Sequence, residues 1–338
     1  MELGILSLGD LQRDQRTGRP HRPVDRMAEI LGYAVLADQL GLDVFALGEH
    51  HSAEFLTSSP AVVLAAAAAR TSLIRLTSAT TLLGVADPVR VYEDFASLDL
   101  ISRGRAEVIV GRSAFIEPFA LFGYDTADYD ALFAEKLDLL LDIRAREEVT
   151  WAGRFRPPLR DAAVVPRAVQ QPLPVWIGVG GSPDSADRAG RLGLPMVLGY
   201  IGGGLGHLRP LVDAYRAAGE RAGHPDQLKV AISTHFHAGA DPAKARAVYP
   251  CYHEYLRPKR PGGRGFVVSP AAFEAGTGRH GAIMIGSAGE ITDKLLDAVK
   301  ALGLDRIFAQ VDWGGLPADL VGESIARYAT EIAPALRL

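Results

Sequence analysis

Eight times along this chain a short apolar run gives way to a longer amphipathic or proline-opened stretch. That alternation constrains the fold more than any single residue does. The spacing predicts strands at residues 3–8, 44–47, 75–83, 106–110, 174–179, 195–198, 229–236 and 305–311. Helices are predicted at 24–41, 59–70, 88–101, 128–146, 182–192, 208–222, 243–256, 288–302 and 316–336. Proline in the first turn and glycine just past the end mark several of these helices. Repeated strand–helix units imply a parallel sheet with helices packed outside it. Eight units in 338 residues suit an α/β chain folded as a (β/α)8 TIM barrel with loop insertions, a single domain over residues 1–338. A doubly wound open sheet alternates in the same way, but the glycine fingerprint of a dinucleotide fold is missing after the first strand. The rhythm pauses once, at 149–155, where Gly153 between aromatic residues reads as a small hairpin.

Composition narrows the function classes. The 36 basic and 40 acidic residues are mixed and give a net charge of −4, which argues against nucleic acid or a membrane surface as the main partner. One cysteine, Cys251, excludes an internal disulfide and a cysteine-rich metal site. The first ten residues have no basic segment before their apolar run, so no signal peptide is expected. No apolar run reaches the roughly 20 residues of a membrane span. The longest, 61–69, is mostly alanine and suits close helix packing. A cytoplasmic setting is the expectation.

Several segments fall at strand ends, where a barrel of this kind places its active site. Glu49-His50-His51 follows the second strand and offers a carboxylate and two imidazoles for acid–base work near neutral pH. A satisfied core histidine and a loop salt bridge would account for it equally well. After the third strand's Ser78-Ala79-Thr80-Thr81, small side chains let a flat ring approach the backbone, or pack an ordinary barrel tightly. Arg112, just past strand four, can pair with a phosphate or with a neighbouring acid such as Glu117. Gly180-Gly181-Ser182-Pro183-Asp184-Ser185 opens a helix and could cradle an anion. The plainer reading, a helix capped by Ser182, is favoured by that segment alone. His235 and His237 share one face of a strand and could bind a metal together with His50 or His51. No acidic cluster supports that metal-dependent hydrolase reading. The basic, proline- and glycine-rich stretch 257–265 reads as a solvated loop, able to close over an anionic cofactor.

Taken in order, these segments resemble the bacterial luciferase-like monooxygenase family. The resemblance runs through Glu49-His50-His51, Ala79-Thr80, Ala86-Asp87-Pro88-Val89-Arg90 with Glu93-Asp94, and Ser102-Arg103-Gly104-Arg105. It continues through Gly111-Arg112, Gly193-Leu194-Pro195-Met196 and Gly314-Gly315-Leu316-Pro317, and so spans nearly the whole chain. It implies a barrel that binds FMN, or takes reduced FMN from a separate flavin reductase. By position, Ala79 and Thr80 would lie against the isoalloxazine ring, where the family can hold a non-proline cis peptide. Arg112, Gly180, Gly181, Ser182 and Ser185 would hold the phosphate. His50 matches the family's active-site histidine, with His51 and Glu49 beside it. Phe55, Phe115 and His235 are placed by loop position to line a substrate pocket.

The implied reaction is that of a flavin monooxygenase: reduced FMN and oxygen form a C4a-hydroperoxide that oxygenates a small organic substrate. The alternative is hydride transfer with the deazaflavin F420 on the same barrel. Two departures stand out. Gly111 replaces the reactive cysteine of the luciferases, and Gly181 replaces an acidic residue near the phosphate. The family is usually dimeric, so a homodimer is expected.

Overall fold

Eight parallel strands close on themselves in a computed structural model of the protein, which describes residues 1–258 and 265–337. The barrel strands are β1 (Glu2–Ser7), β2 (Val44–Leu47), β3 (Arg75–Ser78), β5 (Ala106–Gly111), β8 (Val175–Val179), β9 (Met196–Gly199), β10 (Val230–Gly239) and β12 (Arg306–Asp312). Each pairs with the next, and β12 closes on β1 through Glu2↔Arg306 to Leu6↔Gln310. The short strands β4 (Thr81–Leu82) and β11 (Met284–Ser287) attach to β5 and β10, and β6 (Glu148–Trp151) with β7 (Leu159–Ala163) forms a separate hairpin.

Helices wrap the outside: α1 (Pro23–Gln39), α2 (Pro60–Ala68), α3 (Pro88–Ser102), α4 (Glu117–Phe122), α5 (Tyr129–Ala145), α6 (Pro183–Arg191) and α7 (Leu205–Arg221). Four more follow β10 and β11: α8 (Pro242–Arg246), α9 (Tyr249–Leu256), α10 (Pro270–Thr277) and α11 (Ala288–Leu302). Helix α12 (Ala318–Arg327) follows β12, and a π-helical stretch, Tyr328–Ile332, leads from it into α13 (Ala333–Leu336). Among the described residues no helix is long and apolar enough to cross a membrane.

Alternation along the strands sends every second side chain inward. Leu6, Val44, Ala46, Ile109, Trp176, Val197, Ala231 and Phe308 meet there as one apolar layer. Below it, the Arg306 guanidinium lies 4.3 Å from the Trp176 ring and donates to both Glu107 and Glu2. Arg75 donates to Glu107 as well, so every charge in this plug has an opposite partner, as burial requires. The plug closes the N-terminal end and leaves the C-terminal end for chemistry.

Besides the unexpected α4 and α10 and the π-helical break at Tyr328 in the closing helix, the structure departs from the expected elements in four places. The third strand stops at Ser78, and the chain re-pairs with β5 only at Thr81, beyond the cis peptide between Ala79 and Thr80. The hairpin is wider than residues 149–155, because Glu135 of α5 accepts from the amides of Arg154 and Phe155 and draws that stretch out of the ladder. The helix expected at 243–256 is split into α8 and α9, with Pro250 in the first turn of α9, where its missing N–H costs nothing. Residues 284–287 form a strand on the extended end of β10, and Ser287 with Glu290 then builds a capping box for α11. The expected lid at 257–265 falls largely on residues 259–264, outside the described residues.

Candidate active site

A cavity of about 190 Å³ sits directly on the apolar layer, at the C-terminal strand ends. Leu6, Ile109, Val197 and Phe308 form its floor, and Ala79, Thr80, Gly111 and Gly178 one wall. Thr80 fits because both neighbours lack side chains. A Cβ on Gly111 would lie 2.7 Å from Thr80 Oγ1, and one on Gly178 2.6 Å from Thr80 Cγ2. Ser78 and Thr81 brace the segment, Thr81 Oγ1 donating to Ser78 Oγ at 2.9 Å and Ser78 Oγ to the Ile109 carbonyl at 3.2 Å. The wall is thus a fixed backbone surface with small side chains.

Arg112 and Gly180 stand at the edge of the same cavity. Arg112 Nη2 donates to Ser185 Oγ at 2.6 Å, which places the guanidinium beside the N-terminus of α6. Arg112 also pairs with Asp130 and lies 5.3 Å from the Tyr129 ring. Ser182 occupies the cap position of α6, yet its side chain makes no capping hydrogen bond. A Cβ on Gly180 or Gly181 would meet nothing within 4 Å, so the backbone here faces open space. A guanidinium, two hydroxyls and a helix N-terminus in front of such space form a donor set suited to a phosphate.

Glu49, His50 and His51 follow β2 as expected, but the two histidines line a separate void of about 10 Å³ with Ser52, Leu82, Ser113 and Phe115. His51 Nε2 and Glu49 Oε1 are 2.9 Å apart, and Glu49 Oε2 accepts from the Leu82 amide at 3.0 Å. One carboxylate therefore ties the end of β2 to β4. His50 stacks on Phe55, with ring centroids 4.0 Å apart, and meets Phe115 edge-on at 5.4 Å. Burial in this aromatic sleeve, with His51 adding a smaller push, lowers the His50 pKa to about 4. His50 is thus neutral at neutral pH. Phe55 and Phe115 serve as its sleeve; neither lines the larger cavity.

His235 points inward above Ser233, and its Nδ1 is 2.9 Å from the Tyr252 hydroxyl. His237 lies further out, its Nδ1 without a hydrogen-bond partner. Among the described residues no three histidine, cysteine or acidic side chains converge as a metal site.

Sequence reasoning missed the apolar floor, the paired glycines around Thr80, and the Tyr129–Asp130 support of Arg112. The floor residues were recoverable from the period-two alternation of their strands, whereas the other two depend on contacts between distant segments.

The sequence profile of the luciferase-like monooxygenase family matches residues 1–306. An uncharacterized protein, y4vJ, of Sinorhizobium fredii is 28% identical over 322 residues, covering 90% of each chain. An F420-dependent glucose-6-phosphate dehydrogenase of Amycolatopsis mediterranei is 30% identical over 178 residues, 49% of this chain and 51% of that one. The crystal structure of monooxygenase RslO1 from Streptomyces bottropensis superposes with a TM-score of 0.86 at 24% identity, over 99% of this chain and 100% of that one.

Proposed function

Because the chain belongs to the luciferase-like monooxygenase family, we propose that it is a flavin-dependent oxidoreductase that uses reduced FMN and oxygen to oxygenate a small organic substrate. The observation that carries this reading is the cavity itself. A flat, small-residue wall stands at one side and a guanidinium beside a helix N-terminus at another, as a ring with a phosphate tail requires. Reduced FMN, when bound, supplies the two electrons that let oxygen be split between substrate and water.

The protein's own part is positioning and proton control. Arg112, Ser182 and Ser185, with the Gly180 and Gly181 backbone, hold the phosphate. Ala79 and Thr80 support the ring, with Gly111 and Gly178 keeping Thr80 in place. His50, neutral and sheathed by two aromatic rings, takes up a proton at one ring nitrogen and returns it, while the surrounding rings keep water away. The Glu49–His51 pair holds the loop that carries it. A separate reductase supplies the reduced flavin.

The second reading is F420-dependent hydride transfer, which the Amycolatopsis relative supports. It uses the same barrel and phosphate cradle without oxygen.

The test of the residue assignment is His50→Ala. FMN affinity should hold while oxygen transfer across a substrate panel falls by about 10² to 10⁴. Undiminished oxygen transfer would remove His50 from the reaction.

A further inference from the structure

Arg112 already has an anion for a partner. Of its two outer guanidinium nitrogens, Nη1 donates to the Asp130 carboxylate and Nη2 to Ser185 Oγ at 2.6 Å. The ring of Tyr129 lies 5.3 Å from the guanidinium. A phosphate held by this fork takes two parallel N–H donors. Arg112 cannot grip one in that way while a carboxylate keeps Nη1.

The two partners differ in what their release costs. Ser185 is buried, and its hydroxyl can turn its own hydrogen toward an anion without leaving Arg112. The Asp130 side chain is 73% exposed, against 22% for Arg112. An ion pair so open to water holds weakly, and a phosphate dianion can displace it. The displaced carboxylate is not stranded. It returns to water in the first turn of α5, where the helix dipole favours a negative charge.

The pairing is nonetheless built into the fold. The Tyr129 hydroxyl donates to the Ser113 carbonyl at 2.7 Å, which pins the start of α5 to the segment directly after Arg112. Asp130 is the next residue, so its carboxylate stays within reach of the guanidinium. The neighbouring Asp128 is engaged elsewhere, accepting from Arg154 at 3.0 Å. Beside Ser185, the N-terminus of α6 and the Gly180–Gly181 backbone face open space. A phosphate set there would meet donors from α6 and Arg112 and, if Asp130 stayed in place, a like charge on the same guanidinium.

We infer that Asp130 is a built-in counter-ion, which competes with the flavin phosphate for Arg112 and so keeps the flavin exchangeable, a co-substrate that comes and goes. The inference rests on the phosphate position proposed above. Exchanging one anion for another at Arg112 leaves the number of ion pairs unchanged, so FMN affinity in the native protein should depend only weakly on salt. Without the carboxylate, each bound phosphate would add an ion pair, and the dependence should steepen.

The test compares FMN with riboflavin, the same ring without the phosphate, by flavin fluorescence titration of the whole protein. Asp130→Asn, Arg112→Ala and the double variant are each measured at low and high salt. Asp130→Asn should tighten FMN binding by about tenfold, slow its release, steepen its salt dependence and leave riboflavin affinity unchanged. In the Arg112→Ala background the same change should be worth no more than about twofold, because the cation competed for is gone. FMN affinity unchanged or weaker in Asp130→Asn overturns the inference, since the carboxylate then orients Arg112 or plays no part. A gain that persists without Arg112, or that riboflavin shares, overturns it as well. Those failures leave the phosphate cradle standing. FMN binding at native affinity in Arg112→Ala removes the phosphate from Arg112, and the cradle proposed above then falls together with the counter-ion.

Discussion

At the scale of single residues, the site turns on what glycine leaves out. Thr80 occupies space that side chains at positions 111 and 178 would take. Gly111→Ala should therefore push Thr80 toward the cavity and weaken FMN binding by about tenfold, at a cost to stability of about 1–3 kcal/mol from overpacking. Flavin fluorescence titration and a urea melt check the two parts separately, and FMN binding at wild-type affinity would show that the wall does not touch the ring. The placement of the candidate residues was legible at this scale. Glu49, His50, His51 and Arg112 stand at strand ends where the alternation puts them. What remained hidden was pairing. The sequence does not reveal that Glu49 engages His51 rather than His50, because the two imidazoles are adjacent and only the direction of the loop separates them. Nor does it reveal that Ser182 sits at the cap position without capping.

At the scale of elements, the Gly314-Gly315 pair shows why a short signature can be demanding. Both residues have positive φ, +66° and +71°. A Cβ on Gly314 would collide with the Cys251 carbonyl of α9, and one on Gly315 with the Arg13 carbonyl of the β1–α1 loop. The Gly314 amide donates to Asp10, which shares Arg26 with Asp312. The turn after β12 is thus where α9 and the β1–α1 loop are docked onto the barrel. In the same region Tyr252 and Tyr255 of α9 engage His235 and Gln310, register partners on β10 and β12. Gly314→Ala should destabilise the protein by about 2–4 kcal/mol, combining the strained φ with overpacking. Chemical denaturation measures this, and a loss below about 0.5 kcal/mol would mean that α9 docks without that close approach. The eight barrel strands were legible as elements because each is a short apolar run, buried on both faces, between longer amphipathic or proline-opened stretches. Among the elements that escaped, α4 lies between β5 and α5, while β11 and α10 belong to the insertion after β10. There, local pattern gives way to long-range pairing, as when Phe236–Gly239 recruits Met284–Ser287.

At the scale of the whole molecule, three histidines share one electrostatic condition. Burial lowers the pKa of His50, His235 and His237 to about 4 from an ordinary 6.5, with His51 and Arg327 reinforcing the shift at His50 and His237. The unfolded chain binds protons at these sites below about pH 6.5, whereas the folded protein resists them until about pH 4. Their contribution to stability is therefore complete above pH 6.5 and is lost progressively as pH falls from 6.5 toward 4. Each histidine contributes on the order of 1–3 kcal/mol to that loss. Urea midpoints across this range should fall with pH, and His237→Gln should flatten the slope by about a third of the total. An unchanged slope would show that His237 already titrates near its ordinary value.

The central claim is that the cavity over the barrel's apolar layer takes reduced FMN, with Arg112 on the phosphate. Its most direct test is an anaerobic titration of the protein, and of Arg112→Ala, with FMN, reduced FMN and F420. The account predicts saturable binding of reduced FMN, no matching affinity for F420, and a loss of about 10- to 100-fold in the variant, the effect of removing a charge-assisted hydrogen-bond partner. Saturable binding of F420 without binding of reduced FMN would contradict it and assign the cavity to hydride transfer.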